Sequence, residues 1–158
     1  MNQDLINNAI RIALPPEFHR MDPEEKKRIY AASAVIPEWC VYEPELKMIF
    51  SASWKRMNGI LAMMACSMDG AKGLEKRMRI ALRDRNYHFC GYIKEKLREK
   101  KAFGFTFRYQ GKEGELLNQT MMVRNGGYIY YLTSQIRTDQ ENESKAIINE
   151  IWQSISWN

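Results

Sequence analysis

"FGFTFRYQGKEGELLNQTMMVRNGGYIYYLTSQIR", Phe103 to Arg137, decides the fold class. Phe103, Phe105, Phe107 and Tyr109 alternate with Gly104, Thr106 and Arg108, which is the period of a strand. A row of aromatics of this kind belongs on a buried sheet face, because that face carries the core. Gly111 to Gly114 turn the chain. Asn125-Gly126 then stands between two β-prone runs and predicts a hairpin, since both central positions of a type I′ turn need φ > 0. Strands joined by hairpins without crossovers make an antiparallel sheet.

The flanks supply the rest. On the N-terminal side, Ile10, Ile12 and Leu14 alternate with Arg11 and Ala13 and are closed by Pro15-Pro16, a half-buried strand. Asp22-Pro23-Glu24-Glu25 reads as a helix start, with Asp as N-cap and Pro at the first helical position, and predicts a helix over Pro23–Ala32. Two short strands surround Glu43-Pro44-Glu45, with Met48, Phe50, Ala52 and Trp54 on one face of the second. Leu74, Met78, Ala81 and Leu82 form the apolar stripe of a second helix. "HFCGYIKEKLREKK" after it reads both ways: Lys and Glu favour helix, Phe89, Gly91 and Tyr92 favour strand. At the C-terminus, Thr138 and Glu141 have the spacing of a capping box, and Ile147, Ile148, Ile151, Trp152 and Ile155 follow as a helical stripe. Amphipathic helices must bury their stripes on the sheet. The expected architecture is α+β, an antiparallel β-sheet flanked by helices (an α/β/α sandwich), in one domain over residues 1–158.

Composition narrows the function classes. The formal net charge is +5, from 24 basic and 19 acidic residues in 158. This permits attraction to nucleic acid or to an anionic membrane without requiring either. Cys40, Cys66 and Cys90 are far apart and odd in number, which fits a reducing cytosol and not a disulfide framework. The first residues lack the basic start and apolar core of a signal peptide. The expected location is therefore the cytoplasm.

One stretch stands out. "GILAMMACSMDG", Gly59 to Gly70, holds nine uncharged residues from Ile60 to Met68, three of them methionine. That is half of the roughly 18–20 apolar residues needed to span a bilayer, so a membrane span is excluded. A helix places Ile60, Met63, Met64 and Met68 on one face; a strand would alternate Ile60, Ala62, Met64, Cys66 and Met68. Ala and Met favour the helix. An element apolar all round is normally buried, and burial against the sheet is the expectation. The competing reading makes Met63, Met64 and Met68 a partner-binding surface, because methionine also lines adaptable interfaces.

No catalytic motif is present. His19 and His88 lack metal-ligand spacing, the three cysteines lie in apolar surroundings, and Glu113 and Glu115 sit in a turn. Neither catalysis, nor a cofactor, nor a metal is expected. Lys72, Lys76, Arg79 and Arg83 recur at helical spacing and form one basic stripe. They are the candidates for a nucleic-acid or acidic partner, though a solvated helix face is the commoner meaning of such a stripe.

The layout resembles the PsbP/DcrB-like fold group. The resemblance rests on "IRIALPPEF" at the start, "FGFTFRYQGKEGE" in the middle, and "GGYIYYLTSQIRTDQENESKAIINEIWQSISW" at the end. It covers nearly the whole chain, and its motifs are core patterns. It implies a mostly non-enzymatic group: accessory subunits of photosynthetic membranes, a Ran-binding protein, bacterial lipoproteins, and Eag-type chaperones that shield transmembrane segments of secreted effectors. The expected function is that of a small bacterial protein-binding module, an adaptor or chaperone for a secreted or membrane-destined partner. The alternative is nucleic-acid or acidic-partner binding through the stripe at 72–83.

Overall fold

The computed structural model describes every residue except Ala32 and Ala34. The strands expected between Phe103 and Arg137 form the centre of the molecule: β7 (Lys100–Gly111), β8 (Gly114–Asn125) and β9 (Tyr128–Arg137). They are preceded by β3 (His19–Arg20), β4 (Trp39–Glu43), β5 (Met48–Arg56) and β6 (His88–Leu97). These seven make one antiparallel sheet in the order β3-β4-β5-β9-β8-β7-β6. The ambiguous stretch at His88 is thus a strand, because an exposed sheet edge tolerates its lysines and glutamates. The hairpin between β8 and β9 is displaced by one residue from the expected position. Asn125 pairs with Tyr128, so Gly126 (φ 58°) and Gly127 (φ 82°) are the two central residues with positive φ.

One face of this sheet is covered twice. The helix α4 (Glu141–Ser154) lies on it, with Ile148, Ile151 and Trp152 buried. Beside α4 lies a small sheet of β1 (Asn2–Ile6), β2 (Ile10–Leu14) and β10 (Ser156–Trp157), in the order β1-β2-β10. The core holds Ile6, Ile10, Ile12, Phe50, Leu132 and Ile151, none more than 1% exposed. Trp152 packs edge-on to Phe50 at 4.8 Å, and its indole Nε1 donates to Ser134 Oγ at 3.0 Å. β1 and β10 were not expected; both are short, and β1 has too few apolar residues to show a period.

The expected capping box at Thr138 does not form. Thr138 Oγ1 donates to the Glu115 carboxylate at 2.9 Å, and Glu141 accepts from Arg108 at 2.7 Å. A 3-10 turn over Thr138–Gln140 places α4 one turn later. Both side chains are thus spent on tying β7 and β8 to the helix.

The other face carries Phe103, Phe105, Phe107, Met122 and Ile129, and its cover is lighter. It consists of α1 (Pro23–Ile29), α2 (Gly59–Ala65) and α3 (Met68–Ala81). α1 starts with the expected cap, now a full capping box: Glu25 N donates to Asp22 Oδ1 at 2.8 Å and Asp22 N donates to Glu25 Oε1 at 3.3 Å. It is shorter than expected, and Ala32, the expected end, lies outside the described residues. The sheet flanked by helices is the expected α+β class, with antiparallel strands throughout.

Candidate functional site

Two turns of sequence chemistry shape α2. Asn58 caps it, accepting from Leu61 N at 2.9 Å. Cys66 ends it, and Ser67 Oγ then accepts from Gly70 N at 3.0 Å to start α3. "GILAMMACSMDG" is therefore two helices and a break, not one element. Met68 opens α3 and is half-buried, apart from Met63 and Met64 on α2.

Burial of this stretch, the expectation, does not hold. Ala62 and Cys66 are buried against Met122, Ile129 and Ala71, with Ala65 and Met68 partly buried beside them. Ile60, Leu61, Met63 and Met64 are 76%, 52%, 59% and 67% exposed. The physical reason is geometric. Small side chains at 62, 66 and 71 let the helix backbone approach the sheet closely, and a single helix can bury only one face. Gly70 completes the contact: a Cβ there would meet the Ala65 carbonyl oxygen at 1.7 Å. Among the described residues no element covers Ile60, Leu61, Met63 and Met64.

Beside α2 an open cleft of about 370 Å³ is lined by Met63, Cys66, Lys100, Lys101, Phe103 and Arg124. Its floor is apolar and its rim is basic. Lys96 pairs with Lys101 across β6 and β7, and Lys55 pairs with Ile129, which in turn pairs with Arg124. Side chains on paired residues share a sheet face. Lys96, Lys101, Arg124 and Lys55 thus run in a row across the end of the sheet. None of them makes an ion pair among the described residues. Lys55 lies over the Tyr131 ring at 5.8 Å.

The expected basic stripe sits on the outer face of α3, and Lys72, Lys76, Arg79 and Arg83 are all exposed. Two of the four are already engaged. Lys72 lies 6.0 Å from the Tyr92 ring centre, and Arg79 Nε donates to Glu75 Oε2 at 3.0 Å. The expected apolar stripe of this helix is rotated. Ala71 and Glu75 are the buried positions, Leu74, Met78 and Leu82 are half-buried, and Ala81 is exposed. Sequence reasoning missed Glu75, since a glutamate normally reads as surface. It is buried because Tyr87 and Tyr92 also donate to it, at 2.7 Å and 3.3 Å. Burial works to raise its pKa, but the hydrogen bonds from Arg79 and the two tyrosines outweigh this and hold the carboxyl below its ordinary value. The Glu75–Arg79 spacing of four was the one signal available.

The other candidates lie apart from this cleft or are buried. Burial pushes the Cys40 thiol up to about 11 and raises that of Cys66, which keeps both protonated and inert. Cys90, expected in apolar surroundings, is exposed, because it sits at the bulge between Phe89 and Gly91 on the edge strand. His19 contacts Glu25 at 3.4 Å and His88 is exposed. Glu113 pairs with Lys47, and Glu43 is buried with its carboxylate accepting from Glu45 N and Leu46 N at 2.8 Å. Among the described residues no group of three or more His, Cys, Asp or Glu side chains is placed to hold a metal ion. No helix among them is long and apolar enough to cross a membrane.

No family model and no curated protein matches the chain. Solved structures do. The cyanobacterial PsbP (CyanoP) of Synechocystis sp. PCC 6803 superposes with a TM-score of 0.71 at 9% identity, over 96% of this chain and 88% of that one. LpqN of Mycobacterium tuberculosis, involved in cell envelope biogenesis, gives 0.63 at 12% identity, over 94% and 83%. The Saccharomyces cerevisiae Ran-binding protein Mog1p gives 0.55 at 10% identity, over 99% and 95%. At these identities the likeness speaks of the fold, and the chain has a PsbP-like fold, as its sequence resemblance implied.

Proposed function

We propose that this protein is a non-catalytic protein-binding module, an adaptor or chaperone for a secreted or membrane-destined partner, and that α2 is its docking element. The observation that carries the reading is the exposure of Ile60, Leu61, Met63 and Met64 within five consecutive positions. Scattered exposed apolar residues are ordinary, but a contiguous cluster marks an interaction surface. Methionine suits such a surface because its unbranched, polarizable side chain adapts to different partners. A Ran-binding protein shares the fold, which is in keeping with a protein partner. The break at Cys66–Ser67 leaves α2 as a short element held only by its inner face.

The test is site-specific photocrosslinking in the native host. A benzophenone side chain at position 64 should give a discrete protein adduct, and one at position 110, at the far end of β7, should not. Ile60→Ser in the same chain should remove the adduct. Equal labelling from both positions, or none from position 64, would sink the proposal.

A further inference from the structure

The rim of the cleft says more about what docks there. α2 contributes no charge from Gly59 to Cys66, so it leaves the neighbouring cations uncompensated. Lys55, Lys96, Lys101 and Arg124 are all exposed and form no ion pair among the described residues. Some cations elsewhere are paired, as Arg20 is with Asp4, Arg79 with Glu75, Arg108 with Glu141 and Arg137 with Asp139. What marks the row is its placement: strand register brings these four cations side by side, next to the exposed apolar residues of α2.

The hollow is also concave. Met63, Cys66 and Phe103 supply its apolar lining, and about 370 Å³ is room for one or two large side chains. A flat lipid surface would meet the exposed side chains of α2 but leave the cleft beside them unfilled. A protein segment can place an apolar anchor inside the cleft and carboxylates against the rim at the same time. Such charge complementarity fixes orientation and speeds encounter, while the anchor supplies most of the affinity.

We infer that the occupant of this site is an acidic amphipathic segment of a partner protein, with a Leu, Met or Phe side chain in the cleft and Asp or Glu beside Lys101 and Arg124. This rests on the protein-binding reading and names the chemistry of its partner. The stripe on α3 is a separate surface: it lies on another helix, and its Arg79 is already paired with Glu75.

The whole 158-residue chain is used to select from a random peptide library, and recovered peptides are measured by fluorescence anisotropy. The expected peptides carry acidic residues around Leu, Met or Phe, and bind more weakly as NaCl is raised. Lys101→Glu with Arg124→Glu should weaken them by at least tenfold and select basic peptides instead. Ile60→Ser with Met64→Ser should weaken them by a similar factor without changing the charge preference. All four positions are exposed, and thermal melts check that the variants fold. Neutral or basic peptides from the parent chain would overturn the acidic assignment while leaving a protein-binding surface. Acidic peptides that bind the variants as well as the parent would overturn the site. No peptide recovered, with the chain sedimenting on vesicles of phosphatidylcholine and phosphatidylglycerol, would assign the surface to lipid and overturn both readings. No binding in either assay would overturn both as well.

Discussion

The two faces of the seven-stranded sheet are built from similar strands and finished differently. On one, α4 and the small sheet supply large branched and aromatic side chains, and Ile6, Ile10, Ile12 and Ile151 are sealed from water. On the other, α2 and α3 press small residues, Ala62, Cys66 and Ala71, against Met122 and Ile129. Small contacts let the helix backbones come close, but they cover little area. The apolar side chains of α2 are left outside and a cleft opens between α2 and β7. The first face is sealed, and the second carries the surface proposed for recognition.

Four measurements would sharpen or break that contrast. Ile151→Ala on the sealed face should lose about 3 kcal/mol or more, by the usual cost of a large-to-small change in a closed core. A urea titration reads this, and a loss below about 1 kcal/mol would show that the face is not sealed. Gly70→Ala should cost about 2 kcal/mol, since the added methyl cannot coexist with the Ala65 carbonyl and must push α2 from α3. Hydrogen exchange should then rise over residues 59–66 and stay unchanged in α4. Unchanged exchange in α2 would mean that the two helices are not in the contact described.

The third concerns the seam between α4 and β7. Hydrogen bonds from Arg108 hold the Glu141 carboxyl down at about 2, against an ordinary value of 4.5. The folded chain thus binds this proton less tightly than the unfolded chain, so the pair stabilises above pH 4.5 and is lost as the pH falls toward 2. Glu141→Gln should cost about 1 kcal/mol at pH 6 and roughly half of that or less at pH 3, the usual scale for a charged hydrogen bond partly open to water. Equal costs at both pH values would remove this role. Last, Met64→Ser on the open face should change stability by no more than about 0.5 kcal/mol, as expected of an exposed side chain. A larger loss in the same urea titration would make α2 part of the core.

Much of the fold was legible because its signals are local. The alternation of Phe103 to Tyr109, the Asp22-Pro23-Glu24-Glu25 start and the stripe from Ile148 to Ile155 each follow from a few neighbouring residues. The hairpin was legible to within one residue: Asn-Gly-Gly offers two ways to place two positive φ angles, and pairing of Asn125 with Tyr128 chooses between them. The misread elements are those whose side chains answer to distant partners. Thr138 and Glu141 look like a cap but are claimed by Glu115 and Arg108. Glu75 looks like surface but is buried by Tyr87 and Tyr92.

The same division holds for the candidate site. Sequence alone determined that Ile60 to Met68 is uncharged, rich in methionine and too short to span a bilayer. It also determined the antiparallel sheet with amphipathic helices, because period and turn chemistry are written residue by residue. Whether the methionines face the sheet or the solvent was decided only in three dimensions. It depends on which side of a short helix the small residues Ala62 and Cys66 occupy, and on no further element among the described residues covering the rest. The gathering of Lys55, Lys96, Lys101 and Arg124 was likewise invisible, since strand register, not sequence spacing, brings four separate strands to one row.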